Sequence, residues 1–215
     1  MHRLLATLSI LALLFVPVAA QQTRLTEAMI KSADAEVPEL MKLLGLKAGM
    51  TVADVGAGFG AWTVRFAKEL GPSGRVYATD LGAAQLTALR DYVKKEGLSN
   101  VTVLEGAADS TNLPAGCCDA MIIRDAYHHF TQPAAMIKSV AASLKPGGRL
   151  AVIDFPPRAN TTVPEGVAAN RGGHGVPPEI VAKEVGAALT HVQTIDKWGQ
   201  GGEPASLFLV LFQKK

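Results

Sequence analysis

The stretch Val52–Ala61, "VADVGAGFGA", governs how the rest of the chain is read. A short apolar run enters three glycines at alternate positions, the pattern of a strand turning sharply into a helix over a bound nucleotide. Taken as Gly56-x-Gly58-x-x-Ala61, it matches a dinucleotide fingerprint, whose last position accepts Gly or Ala. Taken as Asp54-x-Gly56-x-Gly58-x-Gly60, it sets a carboxylate at the mouth of the turn and fits a different nucleoside ligand. The rest of the sequence has to decide between the two.

Outward from this turn, short apolar runs alternate with helical ones. "AWTVRFAKEL" follows as a helix, "RVYATD" as a strand, "AAQLTALRDYVKKEG" as a helix and "VTVLEG" as a third strand. "DAMIIRDA", "PAAMIKSVAASL" and "RLAVIDF" continue the alternation, with "KPGG" a turn before the last strand. Strands apolar along their length and separated by helices imply a parallel sheet covered on both faces. Upstream, Leu25, Met29, Ala33, Val37, Leu40, Leu43 and Leu44 recur at helical spacing, and Pro38 is expected to split that segment. Residues 156–176, rich in Pro, Gly, Asn and Thr, read as a long loop. After it come a helix, "PPEIVAKEVGAAL", and two strands, "HVQTIDKW" and "SLFLVLFQ", around a Gly-rich turn. The expected fold is α/β: a Rossmann-like doubly wound sheet of about seven strands, mostly parallel, with an antiparallel C-terminal hairpin at one edge.

A chain of 215 residues suits a single domain, and 48% hydrophobic with 19% charged residues can fill a core. A net charge of +2, with the basic residues scattered, implies no nucleic-acid partner. Residues 1–20 have the features of a signal peptide. Arg3 precedes the apolar run "LLATLSILALLFV", and Val18 and Ala20 occupy the small-residue positions of a cleavage site, predicting cleavage after Ala20. The run falls short of the roughly 20 residues a spanning helix needs. The protein is therefore expected to be periplasmic or secreted, with no stable membrane insertion after cleavage; an uncleaved leader that anchors it to a membrane is the alternative. What remains, 21–215, is one domain with an N-terminal helical segment (21–50), a cofactor-binding core (51–155) and an acceptor loop with the last helix and strands (156–215). Adjacent Cys117 and Cys118 predict no structural disulfide.

In such sheets the ligand lies beyond the carboxyl ends of the strands, where strand order reverses. Asp80 ends the second strand, where a carboxylate can accept hydrogen bonds from ribose hydroxyls; it supports any nucleoside. Asp54 discriminates. A dinucleotide would set a pyrophosphate over the glycine turn, and a carboxylate beside it repels that charge. S-adenosylmethionine carries a sulfonium and an ammonium and no phosphate, so the same carboxylate attracts it.

At this point the sequence resembles the class I S-adenosylmethionine-dependent methyltransferases, small-molecule type. The resemblance rests on "VADVGAGFG", "VYATD", "LEGAADSTNLPAGCCDAMIIRDAYHHF" and "LKPGGRLAVIDF", in the family's order and spacing over most of Met50–Phe155. It implies S-adenosyl-L-methionine as cofactor and a small-molecule methyl acceptor as partner. It also implies that Gly56, Gly58 and Gly60 bring backbone close to the methionine and ribose portions, that Asp54 lies near the methionine amino group and that Asp80 binds the ribose. Ala108 and Asp109 fall in the adenine segment, although Ala107 stands where the family often has an acidic residue. Arg124 and Asp125 fall where the methyl-transfer site is lined.

Methyl transfer needs a base only when the acceptor atom still holds its proton. Asp125, His128 and His129 in "RDAYHHF" are the candidate catalytic residues, with Tyr127 as a wall or hydrogen-bond partner. Adjacent side chains diverge, so one histidine at most should face the acceptor. A metal held by Asp125 and the histidine pair is a further reading, but the sequence has no helical His-x-x-x-His and no cysteine cluster, and no metal is expected. The glycine-rich loop around Arg171 and His174 is the candidate acceptor lid, free to move. Two other functions share these features: an NAD(P)-dependent oxidoreductase, and an exported, non-catalytic binding protein on a methyltransferase fold.

Overall fold

The computed structural model describes residues 24–199 and 207–215. The expected leader, its cleavage point and most of the turn before the last strand lie outside them. Seven strands form one sheet in the order β3-β2-β1-β4-β5-β7-β6. They are β1 (Thr51–Val55), β2 (Arg75–Asp80), β3 (Val101–Glu105), β4 (Cys118–Arg124), β5 (Leu144–Asp154), β6 (Thr190–Trp198) and β7 (Leu207–Gln213). The first five are mutually parallel, and β7 runs antiparallel to both β5 and β6. The helices are α1 (Glu27–Leu44), α2 (Ala61–Leu70), α3 (Ala83–Lys95), α4 (Pro133–Ser143) and α5 (Pro178–Gly186).

Side-chain alternation along the strands builds two cores. Val52, Ala120, Ile122, Ala151, Ile153 and Leu209 point to the face packed by α1 and α2. Their neighbours Ala53, Met121, Ile123, Val152 and Val210 point to the face packed by α4 and α5. A strand stretch covered on both faces has no place for polar residues, which is why β4 is apolar from Ala120 to Ile123 and β7 from Leu207 to Phe212. The edge strands depart from the expectation of strands apolar along their whole length. β3 is nowhere fully buried and exposes Thr102 and Glu105, and β6 is exposed from Thr190 to Thr194.

Two local expectations are corrected. Pro38 does not split the first helix: α1 runs unbroken from Glu27 to Leu44 with Pro38 inside it. A proline there removes one backbone donor. Val37, Leu40 and Leu44, all buried on the sheet, hold the turns on either side of it in line. The "KPGG" segment is not a separate turn, because β5 begins at Leu144 and absorbs it. The β4–β5 register shifts between Cys118 and Ala120 to accommodate it.

The strand order reverses between β1 and β4, which are neighbours in the sheet but not in the chain. Gly56 and Ala126, just beyond those two strands, meet there. A Cβ on Gly56 would lie 2.6 Å from that of Ala126, and its φ is +77°. Both facts demand glycine.

Candidate active site

A cavity of about 520 Å³ opens at the carboxyl ends of β1, β2 and β4, within the size range of small-molecule sites. Asp54, Gly56, Gly58 and Asp80 line it from the first two strands. Ala108 lines it from the segment after β3, and Arg124, Asp125 and His129 from the segment after β4. Three predicted residues stand apart from this lining. Gly60 caps α2 at φ +86° and packs against Leu89, so its role is to seat the turn on α3. Asp109 lies with Ala108 at the tip of a tight turn closed by Ala107 N–H to Ser110 O at 2.7 Å, and is exposed. His128 is buried against Asp154.

The glycine turn is organised by carboxylates. Asp80 Oδ2 accepts the Gly58 N–H at 2.8 Å, and Oδ1 accepts the N–H groups of Leu81 at 2.8 Å and Gly82 at 3.1 Å. A carboxylate has about four acceptor positions, so capacity for one more donor remains. Asp54, 3% exposed, accepts a hydrogen bond from Thr63 Oγ1 at 2.6 Å. Burial pushes its carboxyl up to about 6; the Thr63 hydrogen bond opposes this and the Asp80 charge adds to it.

Sequence reasoning missed the residue that sets the charge of the far wall. Glu36, on α1 and fully buried, takes Arg124 Nε and Nη2 at 3.0 Å each and Trp62 Nε1 at 3.1 Å. The Arg124 guanidinium also lies 3.7 Å from the centre of the Trp62 ring. Glu36 falls on the apolar stripe of α1, between Ala33 and Leu40. A carboxylate on a buried stripe was the available signal, because it must find a cation there.

At the acceptor end, Asp125 follows β4 in the left-handed region, at φ +54°, a conformation rare outside glycine and frequent at functional sites. In the 3-10 turn Tyr127–His129 that follows, Tyr127 points away from the cavity while the rings of His128 and His129 lie side by side, their centroids 4.0 Å apart. His128 is held by Asp154, whose carboxylate meets its Nδ1 at 2.9 Å and accepts its backbone N–H at 3.1 Å. His129 faces the cavity, and desolvation beside His128 and His174 pushes its imidazole down to about 4. Tyr127 is buried on the opposite side and donates to Glu184 Oε2 at 2.8 Å, so it forms no wall of the cavity.

The loop read as a freely moving lid is anchored. Arg171 is fully buried and donates to Glu184 Oε2 at 3.0 Å. Its charge and that of the α5 carboxylate compensate each other inside the protein, which ties the loop to α5. The nearby glycines serve close packing: a Cβ on Gly175 would lie 2.7 Å from Pro156 O.

Residues 52–148 match the family described as "Methyltransferase domain". Over 116 residues the chain is 34% identical to a protein named ubiquinone/menaquinone biosynthesis C-methyltransferase UbiE from Pseudomonas paraeruginosa. That match covers 54% of this chain and 45% of the relative, so the chain spans about half the length of the curated relatives it matches. A crystal structure described as a SAM-dependent methyltransferase from Aquifex aeolicus superposes with a TM-score of 0.70 at 26% identity, covering 88% of this chain and 94% of that one. The [4+2]-cyclase SpnF, at 18% identity and a TM-score of 0.68 over 84% of this chain and 81% of its own, shares the fold. The glycine turn at the β1–β4 reversal, the acidic residues around it and these likenesses agree: residues 52–148 match a methyltransferase domain, and the chain has the class I S-adenosylmethionine-dependent methyltransferase fold.

Proposed function

We propose that the protein is an S-adenosylmethionine-dependent methyltransferase that transfers a methyl group in line to a small-molecule acceptor. The observation that carries this reading is the charge of the cavity. Asp54 and Asp80 flank the glycine turn, while Arg124 in the wall is paired with Glu36. A pyrophosphate would face two carboxylates, whereas a sulfonium and an ammonium are attracted by them. The residues suit this donor in turn. Asp54 would hold the ammonium, the backbone at Gly58 borders open space, and Asp80 keeps acceptor capacity for a ribose hydroxyl. Leu81, 57% exposed at the cavity edge, and Ala107 and Ala108 offer apolar surface to the base.

When bound, the donor supplies a methyl carbon activated by positively charged sulfur. The protein's task is to hold the acceptor atom at near-attack distance and to exclude water. Asp125 and His129 face that space, and an acceptor atom that still carries a proton would pass it to one of them.

Titration of the purified protein with S-adenosylmethionine, S-adenosylhomocysteine and nicotinamide dinucleotides tests the cofactor. Binding of the first two alone is expected, with loss on Asp80→Ala. Tight nicotinamide binding without S-adenosylhomocysteine binding would replace the reading with an oxidoreductase. Labelled donor with a panel of acceptors, quinone-like phenols first because of the named relative, then tests the activity. Donor binding with no turnover across the panel would favour a binding protein.

We also infer export, from the charged start, the apolar run and the small residues before Gln21. None of the described helices is long and apolar enough to cross a membrane. Amino-terminal sequencing of protein from the exported fraction should begin at Gln21. Recovery with Met1 intact would indicate a retained leader.

A further inference from the structure

We propose that His128, His129 and His174 form a three-imidazole site for a divalent transition cation at the acceptor end of the cavity. Each offers a ring nitrogen, and these lie within 4.8 Å of one another. The ring centroids are 4.0 Å apart for His128–His129, 4.9 Å for His128–His174 and 5.7 Å for His129–His174. Nitrogens around a tetrahedral zinc ion with bonds of about 2.0–2.1 Å are roughly 3.4 Å apart. Small side-chain rotations therefore close the set on one ion.

Two further observations indicate a built site and not a chance cluster of rings. The first is Asp154, wholly buried, which meets His128 Nδ1 at 2.9 Å. A carboxylate on one imidazole nitrogen fixes the tautomer and leaves Nε2 for a metal. Asp154 also accepts the backbone N–H groups of His128 and Phe155. This is why we assign it to orienting His128, although ligand atoms of Asp125, His128 and Asp154 also lie within 4.8 Å of one another. Direct ligation by Asp154 would cost those bonds.

The second is the way His174 is delivered. Its carbonyl accepts the Arg158 N–H at 2.9 Å, its N–H donates to Thr161 Oγ1 at 2.8 Å, and Val176 N–H donates to Phe155 O at 3.0 Å. Gly173 and Gly175 flank it at φ +143° and +124°, and a Cβ on either would meet backbone oxygen at 2.7 Å. The histidine is thus fixed on a bracket between the end of β5 and the start of α5.

His129 lines the cavity, so the open coordination position would face the acceptor. Three imidazoles suit zinc, cobalt or nickel, and the open position would take a hydroxyl, carboxylate or adjacent hydroxyl–carbonyl pair. With the His129 lone pair on a metal, Asp125 is left to take a proton. Arg158, stacked 4.3 Å from the Phe155 ring centre beside His174, places a positive charge near the site and weakens it.

The experiment uses metal-stripped mature protein titrated with Co²⁺, read by visible absorption, and with Zn²⁺, read by calorimetry. We expect one ion per chain with the visible bands of a tetrahedral nitrogen site. His174→Ala should weaken binding at least about tenfold while leaving the metal-free melting temperature and S-adenosylhomocysteine affinity unchanged. Arg158→Gln should tighten binding. The proposal is overturned if the wild type binds no stoichiometric ion, or if His174→Ala binds as the wild type does. Donor binding is measured separately, so failure here leaves the methyltransferase reading intact, and the reverse also holds.

Discussion

Asp54 combines two demands on a single side chain. The folded protein holds its proton to about pH 6, whereas the reference carboxyl releases it at 3.8. Between those values the folded state binds more protons than the unfolded one. The stability associated with this group is therefore fully present below pH 3.8 and is lost as pH rises through about 6, a change of about 3 kcal/mol. Asp54→Asn keeps an acceptor for Thr63 and removes the buried charge. Urea unfolding at pH 7 should show the variant more stable by about 1–3 kcal/mol, while its affinity for S-adenosylmethionine falls by about tenfold or more. In the wild type, donor affinity should weaken about tenfold per unit as pH falls below 6, and the variant should lose that dependence. A variant that binds donor as well as the wild type would remove Asp54 from the ammonium site. Gly56 was legible at this same scale, because a left-handed φ is written into the residue type. The conformation of Asp125 was not, since a carboxylate enters that region only where its surroundings hold it.

Among elements, the helices and strands legible by period alone are those whose burial repeats. The sequence segment read as the second helix, Ala61–Leu70, is the observed α2 from end to end. Pro38 misled because a local rule about a missing donor was weighed without the buried neighbours that keep α1 straight. The loop before α5 misled in the other direction. Its glycines looked like freedom, yet the buried Arg171 fixes it by pairing with the half-buried Glu184, which also holds the Tyr127 hydroxyl. Arg171→Ala should lower stability by about 2–4 kcal/mol, because it leaves Glu184 poorly compensated. Hydrogen exchange should quicken selectively over residues 169–176. Unchanged protection there would mean the pairing does not hold the loop.

Across the whole molecule, Glu36 joins three elements at the cavity wall: α1 itself, α2 through Trp62 and β4 through Arg124. Glu36→Ala strands the Arg124 cation in the protein interior and should cost about 3–5 kcal/mol in chemical denaturation. Replacing both Glu36 and Arg124 by methionine removes the stranded charge and should recover most of that loss. The two outcomes separate a pairing effect from simple loss of packing on α1. The same pairing keeps the cavity acidic, so removal of Glu36 should also raise affinity for phosphate-bearing nucleotides relative to S-adenosylhomocysteine, as competition binding would show.

The amino-acid sequence alone determined the sheet-and-helix alternation, the parallel core with its antiparallel end, and a glycine turn led by one carboxylate and followed by another. These are local properties: a repeat of two or of about 3.6 residues and a backbone that must turn left-handed are visible within a short window. The pairing of Glu36 with Arg124, 88 residues apart, and the meeting of His174 with His128 and His129 were settled only in the folded chain. Such contacts depend on which strands become neighbours and on where each connection crosses the sheet. No spacing within a single segment encodes that.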